Sequence, residues 1–179
     1  HHRTKSASAF LAEITSLYHT NWRGNVFIVD DNFIGNKKTL KTTLLPELKR
    51  WQYEHGYPFS FTIQASINLA DDQVLIEQLA DCGFSSVFIG IETVNRESLT
   101  ECGKKQNLNR NTAACVKKIQ QKGLVVNGGF IIGFDHDTPS VFTQLSHFIE
   151  NSGIVTAMVG LLNAPAGSRL FDRMNKENR

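Results

Sequence analysis

The sequence predicts a parallel α/β fold, and three observations carry that reading. Five short apolar runs, at residues 26–29, 61–67, 87–91, 125–132 and 154–162, alternate with segments of helical period. The runs are rich in β-branched and aromatic residues and nearly continuous in apolar character, as strands buried on both faces of a parallel sheet are. Their starts lie between 26 and 38 residues apart, the pitch of strand–helix–strand units. An open doubly wound sheet and a (β/α) barrel both satisfy this pattern. The 179 residues fall short of a full eight-unit barrel of about 250.

Each intervening segment has its own apolar stripe. Phe10, Ile14, Leu17 and Tyr18 form the first, and Leu40, Leu44, Leu48 and Trp51 the second. Leu75, Leu79 and Cys82 form the third, Val116 and Ile119 a weaker fourth, and Val141, Phe142, Leu145, Phe148 and Ile149 the clearest. Gly83, Gly123 and Gly153 follow helices as left-handed caps. Asp71 and Asn109 are expected as N-caps, and Thr138-Pro139 as an N-cap with a first-turn proline. A last helical segment begins at Ser168. No linker rich in Pro, Gly or Ser interrupts the series, so residues 1–179 read as a single domain.

Composition narrows the function. The 19 Lys and Arg against 17 Asp and Glu leave a charge of +2, too balanced for an obligate nucleic-acid or anionic-membrane partner. A chain of this size buries about 70% of its surface, enough for a core without staples. The 3 Cys, at 82, 102 and 115, form neither a disulfide framework nor a metal knuckle, and are read as reduced thiols of a cytoplasmic protein. No apolar run approaches the roughly 18 residues of a membrane helix, and no signal-peptide pattern opens the chain. His1 and His2 read as a tag remnant. A chain that lacks an initiator Met and starts with a helix reads as a piece of something longer.

In parallel α/β folds chemistry collects at the C-terminal ends of the strands, and those ends are polar here. They carry Asp30-Asp31-Asn32, then Gln64, Ser66 and Asn68, then Glu92-Thr93, then Gly133-Phe134-Asp135-His136-Asp137, and last Asn163-Ala164-Pro165-Ala166-Gly167. Each has a plain structural use. The first acids suit Asx turns, Glu92 suits a pair with Arg96 or Lys104, and Asp135 and Asp137 suit the N-terminus of the next helix. His136 suits a surface or capping role. Together on one rim they point to a ligand site.

In this order the chain resembles the radical S-adenosylmethionine (radical SAM) superfamily. Within it, the resemblance is to the branch that carries an upstream cobalamin-binding domain. The matching stretches are residues 26–33 (VFIVDDNF), 87–93 (VFIGIET) and 128–135 (GGFIIGFD), with Lys104-Lys105-Gln106-Asn107 and residues 163–168 (NAPAGS). The resemblance implies a partial TIM-like (β/α) barrel, with this chain supplying strands two to six of a (β/α)6 core. It implies S-adenosylmethionine and a four-iron, four-sulfur cluster as cofactors of the parent protein, and cobalamin as a further cofactor of that branch. The cluster is held by a CxxxCxxC loop and cleaves S-adenosylmethionine for radical chemistry or methyl transfer. The substrate is a small molecule of unknown identity.

Carried over by position, Asp30, Asp31 and Asn32 approach the S-adenosylmethionine amino group. Ser66 and Asn68 face that ligand or the substrate, and Glu92 accepts from ribose hydroxyls or the amino group. Gly129, Ile131 and Gly133 pack near adenine, and Leu162 and Asn163 read its edge. Two departures stand out. His136 replaces a frequent Glu, and CxxxCxxC is absent, because Cys82, Cys102 and Cys115 lie 20 and 13 residues apart. No metal site and no bound cofactor are therefore expected in this chain, which reads as an inactive truncated core. An unpaired strand edge makes a homodimer an expectation. Two other readings compete. One is a divalent-metal-dependent lyase or hydrolase using Asp30, Asp31, Glu92, Asp135 and His136. The other is a non-catalytic interaction module with an exposed apolar patch.

Overall fold

The computed structural model describes residues 5–104 and 106–179. His1 and His2, read as a tag remnant, and Lys105 lie outside the described residues. Helix α1 (Ala7–His19) leads into β1 (Gly24–Phe27). A 3-10 turn (Phe33–Asn36), α2 (Lys37–Thr39), a π-helical stretch (Leu40–Leu44) and α3 (Leu45–Glu54) follow as one helical run. The π stretch closes with Leu45 N–H donating to Leu40 C=O, immediately before Pro46, whose missing N–H interrupts the α-helical ladder.

The remaining elements alternate regularly: β2 (Phe59–Ala65), α4 (Gln73–Asp81), β3 (Phe84–Glu92), α5 (Arg96–Glu101), α6 (Thr112–Gln120), β4 (Val125–Ile132), α7 (Ser140–Ser152), β5 (Thr156–Leu161) and α8 (Arg169–Lys176). All neighbouring strands pair in parallel, in the order β1-β2-β3-β4-β5. Sequential order decides between the two architectures. Right-handed crossovers that always step the same way put every helix on one face, which curls the sheet into part of a barrel; a doubly wound sheet needs the order to reverse.

The core lies between that helical face and the sheet. In β2, Phe59, Phe61, Ile63 and Ala65 are buried against helices, while Ser60, Thr62 and Gln64 between them face the concave side and are half-buried. The expectation of strands covered on both faces is therefore corrected. The apolar runs reflect one helix-covered face, and the concave face is open. The accessible surface is 10520 Å², against about 8,700 Å² for a closed globule of this mass.

All three predicted glycines past helix ends are left-handed, with φ of +90° at Gly83, +93° at Gly123 and +74° at Gly153. The N-caps shift. Asp72, not Asp71, accepts from Leu75 N–H to cap α4, and Asn111, not Asn109, accepts from Ala114 N–H to cap α6. Asp71 is instead in a bidentate pair with Arg110, and Asn109, with φ of 59°, accepts from Arg96. Thr138 makes no side-chain cap; its hydroxyl meets Ser140 Oγ at 2.8 Å. Among the described residues no helix is long and apolar enough to cross a membrane.

Candidate functional site

The concave face carries two adjoining grooves. One, of about 540 Å³, is floored by Phe27, Phe88 and Met158 and edged by Gln64, Asn127 and Thr156. The other, of about 320 Å³, continues toward the C-terminal rim past Gly90, Glu92, Gly129 and Ile131. At the opposite end a hydroxyl-amide ladder crosses three strands. Asn25 donates to Ser60 and Thr62, and the Thr62 hydroxyl lies 2.8 Å from Ser86 Oγ. Neutral hydrogen-bonding groups and aromatic rings thus line the interior, and the charged groups stand at the rim.

Glu92 ends β3 in an unusual way. Its φ is +69°, a left-handed conformation that costs a non-glycine residue roughly 1–3 kcal/mol. The register slips between Gly90 and Glu92 against β4, so Ile91 is an inserted residue, and such bulges re-aim the side chain that follows. The carboxylate folds back over Gly90. A Cβ there would lie 2.6 Å from Glu92 Oε1 and 3.3 Å from Lys104 Nζ, so a larger residue would displace the carboxylate and its lysine partner. Lys104 Nζ sits 2.6 Å from Glu92 Oε1, in a pair largely shielded from solvent on the glutamate side. Of the two cations expected for Glu92, the structure selects Lys104; Arg96 turns to Asn109 instead.

The first strand's polar exit divides. Asp30 Oδ1 accepts from Asn32 N–H, the Asx turn foreseen for it. Asp31 is exposed. Asn32 Oδ1 accepts from the Ser66 backbone N–H and lies 3.3 Å from its hydroxyl, which in turn donates to Asn68 Oδ1 at 2.6 Å. Asn32, Ser66 and Asn68 therefore form one chain of hydrogen bonds joining the exits of β1 and β2, braced by Lys37 Nζ on the Asn68 carbonyl.

At the other side of the rim, Gly129 and Ile131 both face the groove, and Gly133, with φ of +104°, lies against Leu162. Leu162 N–H donates to Ile132 C=O, extending β5 past its last paired residue. Asn163 is exposed. Asp137 departs from the expected helix-capping use. Its Oδ2 accepts from the N–H groups of Gly133 and Phe134, and its Oδ1 from Ser98. Asp135 pairs with Arg173 and Arg179, whose guanidinium hydrogen bond holds its carboxyl below the usual carboxylate range. His136 Nδ1 lies 3.1 Å from Glu101 Oε2 and takes no part in the grooves.

This geometry is shared with solved structures. The chain superposes with a TM-score of 0.72 on the radical S-adenosylmethionine methyltransferase TsrM from Kitasatospora setae, covering 88% of this chain and 30% of that one at 16% identity. It superposes with a TM-score of 0.66 on the cobalamin-dependent S-adenosylmethionine radical enzyme OxsB, covering 98% and 26% at 15% identity. The fold is that of the radical SAM core. In sequence, this stretch of radical SAM fold is 45% identical over 177 residues to an uncharacterized methyltransferase of Synechocystis sp.. It is 34% identical over 177 residues to the hopanoid C-2 methylase of Rhodopseudomonas palustris. Both alignments take in 99% of this chain, which spans 33% of the length of each relative. No family model matches.

The residues present do not fit an iron–sulfur cluster. Cys82 is buried with its thiol on the Leu45 carbonyl, and burial pushes its pKa up to about 12, away from the thiolate a cluster needs. Cys115 is buried and Cys102 exposed. Among the described residues no group of three His, Cys, Asp or Glu side chains could hold a metal ion. The acids and histidine of the divalent-metal reading are drawn apart: Glu92 to Lys104, Asp135 to arginines, His136 to Glu101.

Sequence reasoning missed the interior. Asn25, Thr62, Phe88 and Asn127 line the groove. Their signal was period-two alternation inside apolar runs, most legible at Ser60, Thr62 and Gln64.

Proposed function

We propose that this chain is the part of a radical SAM methylase core that contacts S-adenosylmethionine at its rim and substrate along its groove. The carrying observation is Glu92. A strained backbone, a bulge, the space left open at Gly90 and a lysine partner all serve to hold one carboxylate at the C-terminal rim, beside Gly129 and Ile131. Such strain persists at functional sites, where the surrounding structure over-determines it. The similarity to two methyltransferases over 99% of the chain supports the reaction class.

In this reading bound S-adenosylmethionine supplies the methyl group or the radical precursor. Glu92 Oε1 and Oε2 accept from its hydroxyl or ammonium donors, and Lys104 holds the carboxylate in orientation. Gly133 lets a flat ring approach the backbone at the end of β4, with Ile131 against its face and the Phe88 ring already covering Gly129. Asp31 and Asn163, both exposed on the rim, are the remaining contacts proposed; Asn32, Ser66 and Asn68 fix the loop that carries Asp31. The cluster and its thiolates lie outside this chain, so the chain alone is inactive.

The groove also bears on the substrate. Its lining at Phe27, Gln64, Phe88, Asn127, Thr156 and Met158 carries no formal charge. That suits an uncharged, largely apolar molecule with a hydroxyl or carbonyl to orient it, since a buried ion would lack a partner there. The hopanoid methylase relative is consistent with this class. Pairing of two copies through an exposed edge strand, β1 or β5, is a further proposal.

Anaerobic reconstitution of the chain with iron and sulfide tests the division of labour. The expected result is no stoichiometric cluster and no cleavage of S-adenosylmethionine. A cluster bound one per chain, with cleavage, overturns it.

A further inference from the structure

The strand register lines up one row of residues across the concave face: Gln64 on β2, Phe88 on β3, Asn127 on β4 and Thr156 on β5. All four line the larger groove. Asparagine is depleted in strands, yet Asn127 stands inside β4, in the run VVNGGFII.

The polar groups one row deeper satisfy one another. Asn25 donates to Ser60 and Thr62, and the Thr62 hydroxyl lies 2.8 Å from Ser86 Oγ. They close the floor. Gln64 and Asn127 differ. Neither side-chain amide has a hydrogen-bond partner among the described residues. Both are half-buried yet remain open to solvent, unlike the sealed unpaired oxygens of Gln52, Gln78 and Asn107. Each offers an acceptor and two donors, in a groove with no charged residue in its lining.

Toward the rim the surface turns apolar. Phe88 and Met158 line both grooves, and the Phe88 ring leans over Gly129, two residues rimward of Asn127. Glu92 stands four residues past Phe88, about 13 Å along a strand.

We propose that Gln64 and Asn127 set the orientation of the substrate. They grip the neutral polar edge, a carbonyl or amide, of a ring compound whose apolar body lies on Phe88 and Met158. The carbon presented to the rim is then at the end opposite that edge. A charged edge is disfavoured, because no counter-ion lines the groove. Which end reacts rests on the reading that S-adenosylmethionine lies at the rim around Glu92; the binding mode itself does not.

The test is an NMR titration of the 179-residue chain with benzamide, benzoate and acetamide, read at the side-chain NH2 signals of Gln64 and Asn127. Benzamide carries a neutral polar edge on a ring, benzoate a charged edge on the same ring, and acetamide the edge without the ring. Benzamide is expected to shift both signals saturably, with a Kd of about 10 mM or below. The other two should bind about fivefold more weakly or worse. Nuclear Overhauser contacts should run from the ring proton para to the amide to Met158 and Gly129. Gln64→Met and Asn127→Leu remove the amides and nearly keep the volume. Each should lower benzamide affinity about threefold or more, the loss of a hydrogen bond, followed at the remaining amide. Benzoate or acetamide binding as tightly as benzamide overturns the proposal. So do an absence of saturable shifts at the two amides, para-proton contacts to Thr62 instead, or unchanged affinity in both variants. The ligand comparison uses the unmodified chain, so the proposal is decided even if a substitution unfolds the protein. The readout involves no S-adenosylmethionine; the rim reading fails separately, on an absence of shifts at Glu92 when that ligand is added.

Discussion

The ring of Phe88 lies flat enough on the backbone of Gly129 that a Cβ built at Gly129 would fall 2.6 Å from Phe88 Cζ. The contact joins β3 to β4 inside the groove, and it gives Gly129 a reason to be glycine that lies in packing and not in backbone conformation. Gly129→Ala is expected to cost about 1–3 kcal/mol, the usual price of overpacking. In a Phe88→Ala background the same substitution should cost much less, because the ring is gone. Urea unfolding of the four variants checks this; equal costs in both backgrounds contradict the contact.

A second packing relationship ties the helices to the sheet. Gln52, fully buried in α3, donates from Nε2 to the carbonyls of Phe59 at 2.7 Å and Cys82 at 3.0 Å. Its amide fills the space that Gly83 leaves by having no Cβ. Gln52→Met keeps the volume and removes the donors. It should destabilise by about 1–3 kcal/mol, the cost of leaving buried acceptors unpaired. Denaturant midpoints measure it, and a variant as stable as the parent removes the clamp from the account.

Acid sensitivity has an identified contributor in Asp72. The Lys41 hydrogen bond, at 2.8 Å, and the Leu75 N–H hold its carboxyl below the ordinary value of 3.8. The folded form therefore takes up the proton less readily than the unfolded form. The stabilisation is complete above the unfolded pKa and is lost as pH falls through the folded one. Asp72→Asn keeps a good N-cap and deletes the charge. The variant should be less stable than the parent at pH 7, with the gap closing as pH falls through the lowered pKa. Unfolding free energies measured from pH 7 down into acid decide it, and a gap independent of pH contradicts the role.

Much of this architecture was legible in the sequence, and particular residues show why some was not. The apolar runs located all five strands, and β4 coincides with its expected bounds at 125–132. Polar strand exits marked the rim, where the structure joins Asn32 to Ser66 and brings Gly133 against Leu162. The open concave face was obscured because Phe27, Phe88 and Met158 are as apolar as the core residues beside them. Which acid pairs with which base was equally hidden. Asp135, 38 residues from Arg173 in sequence, meets it only because α8 returns across the exit of β4. Caps displaced by one or two positions, Asp72 for Asp71 and Asn111 for Asn109, reflect runs of capping residue types that sequence alone does not rank.

The central claim is that the rim around Glu92 meets S-adenosylmethionine, and an amide NMR titration of the chain with that ligand tests it most directly. Without cluster iron to anchor the aminocarboxylate, a Kd in the range of about 1 mM is expected. The shifts should be confined to Asp31, Gly90, Glu92, Gly129, Ile131, Gly133, Leu162 and Asn163, and Glu92→Ala should abolish them. Saturable shifts elsewhere, no shifts at several millimolar ligand, or shifts undiminished in Glu92→Ala contradict the assignment.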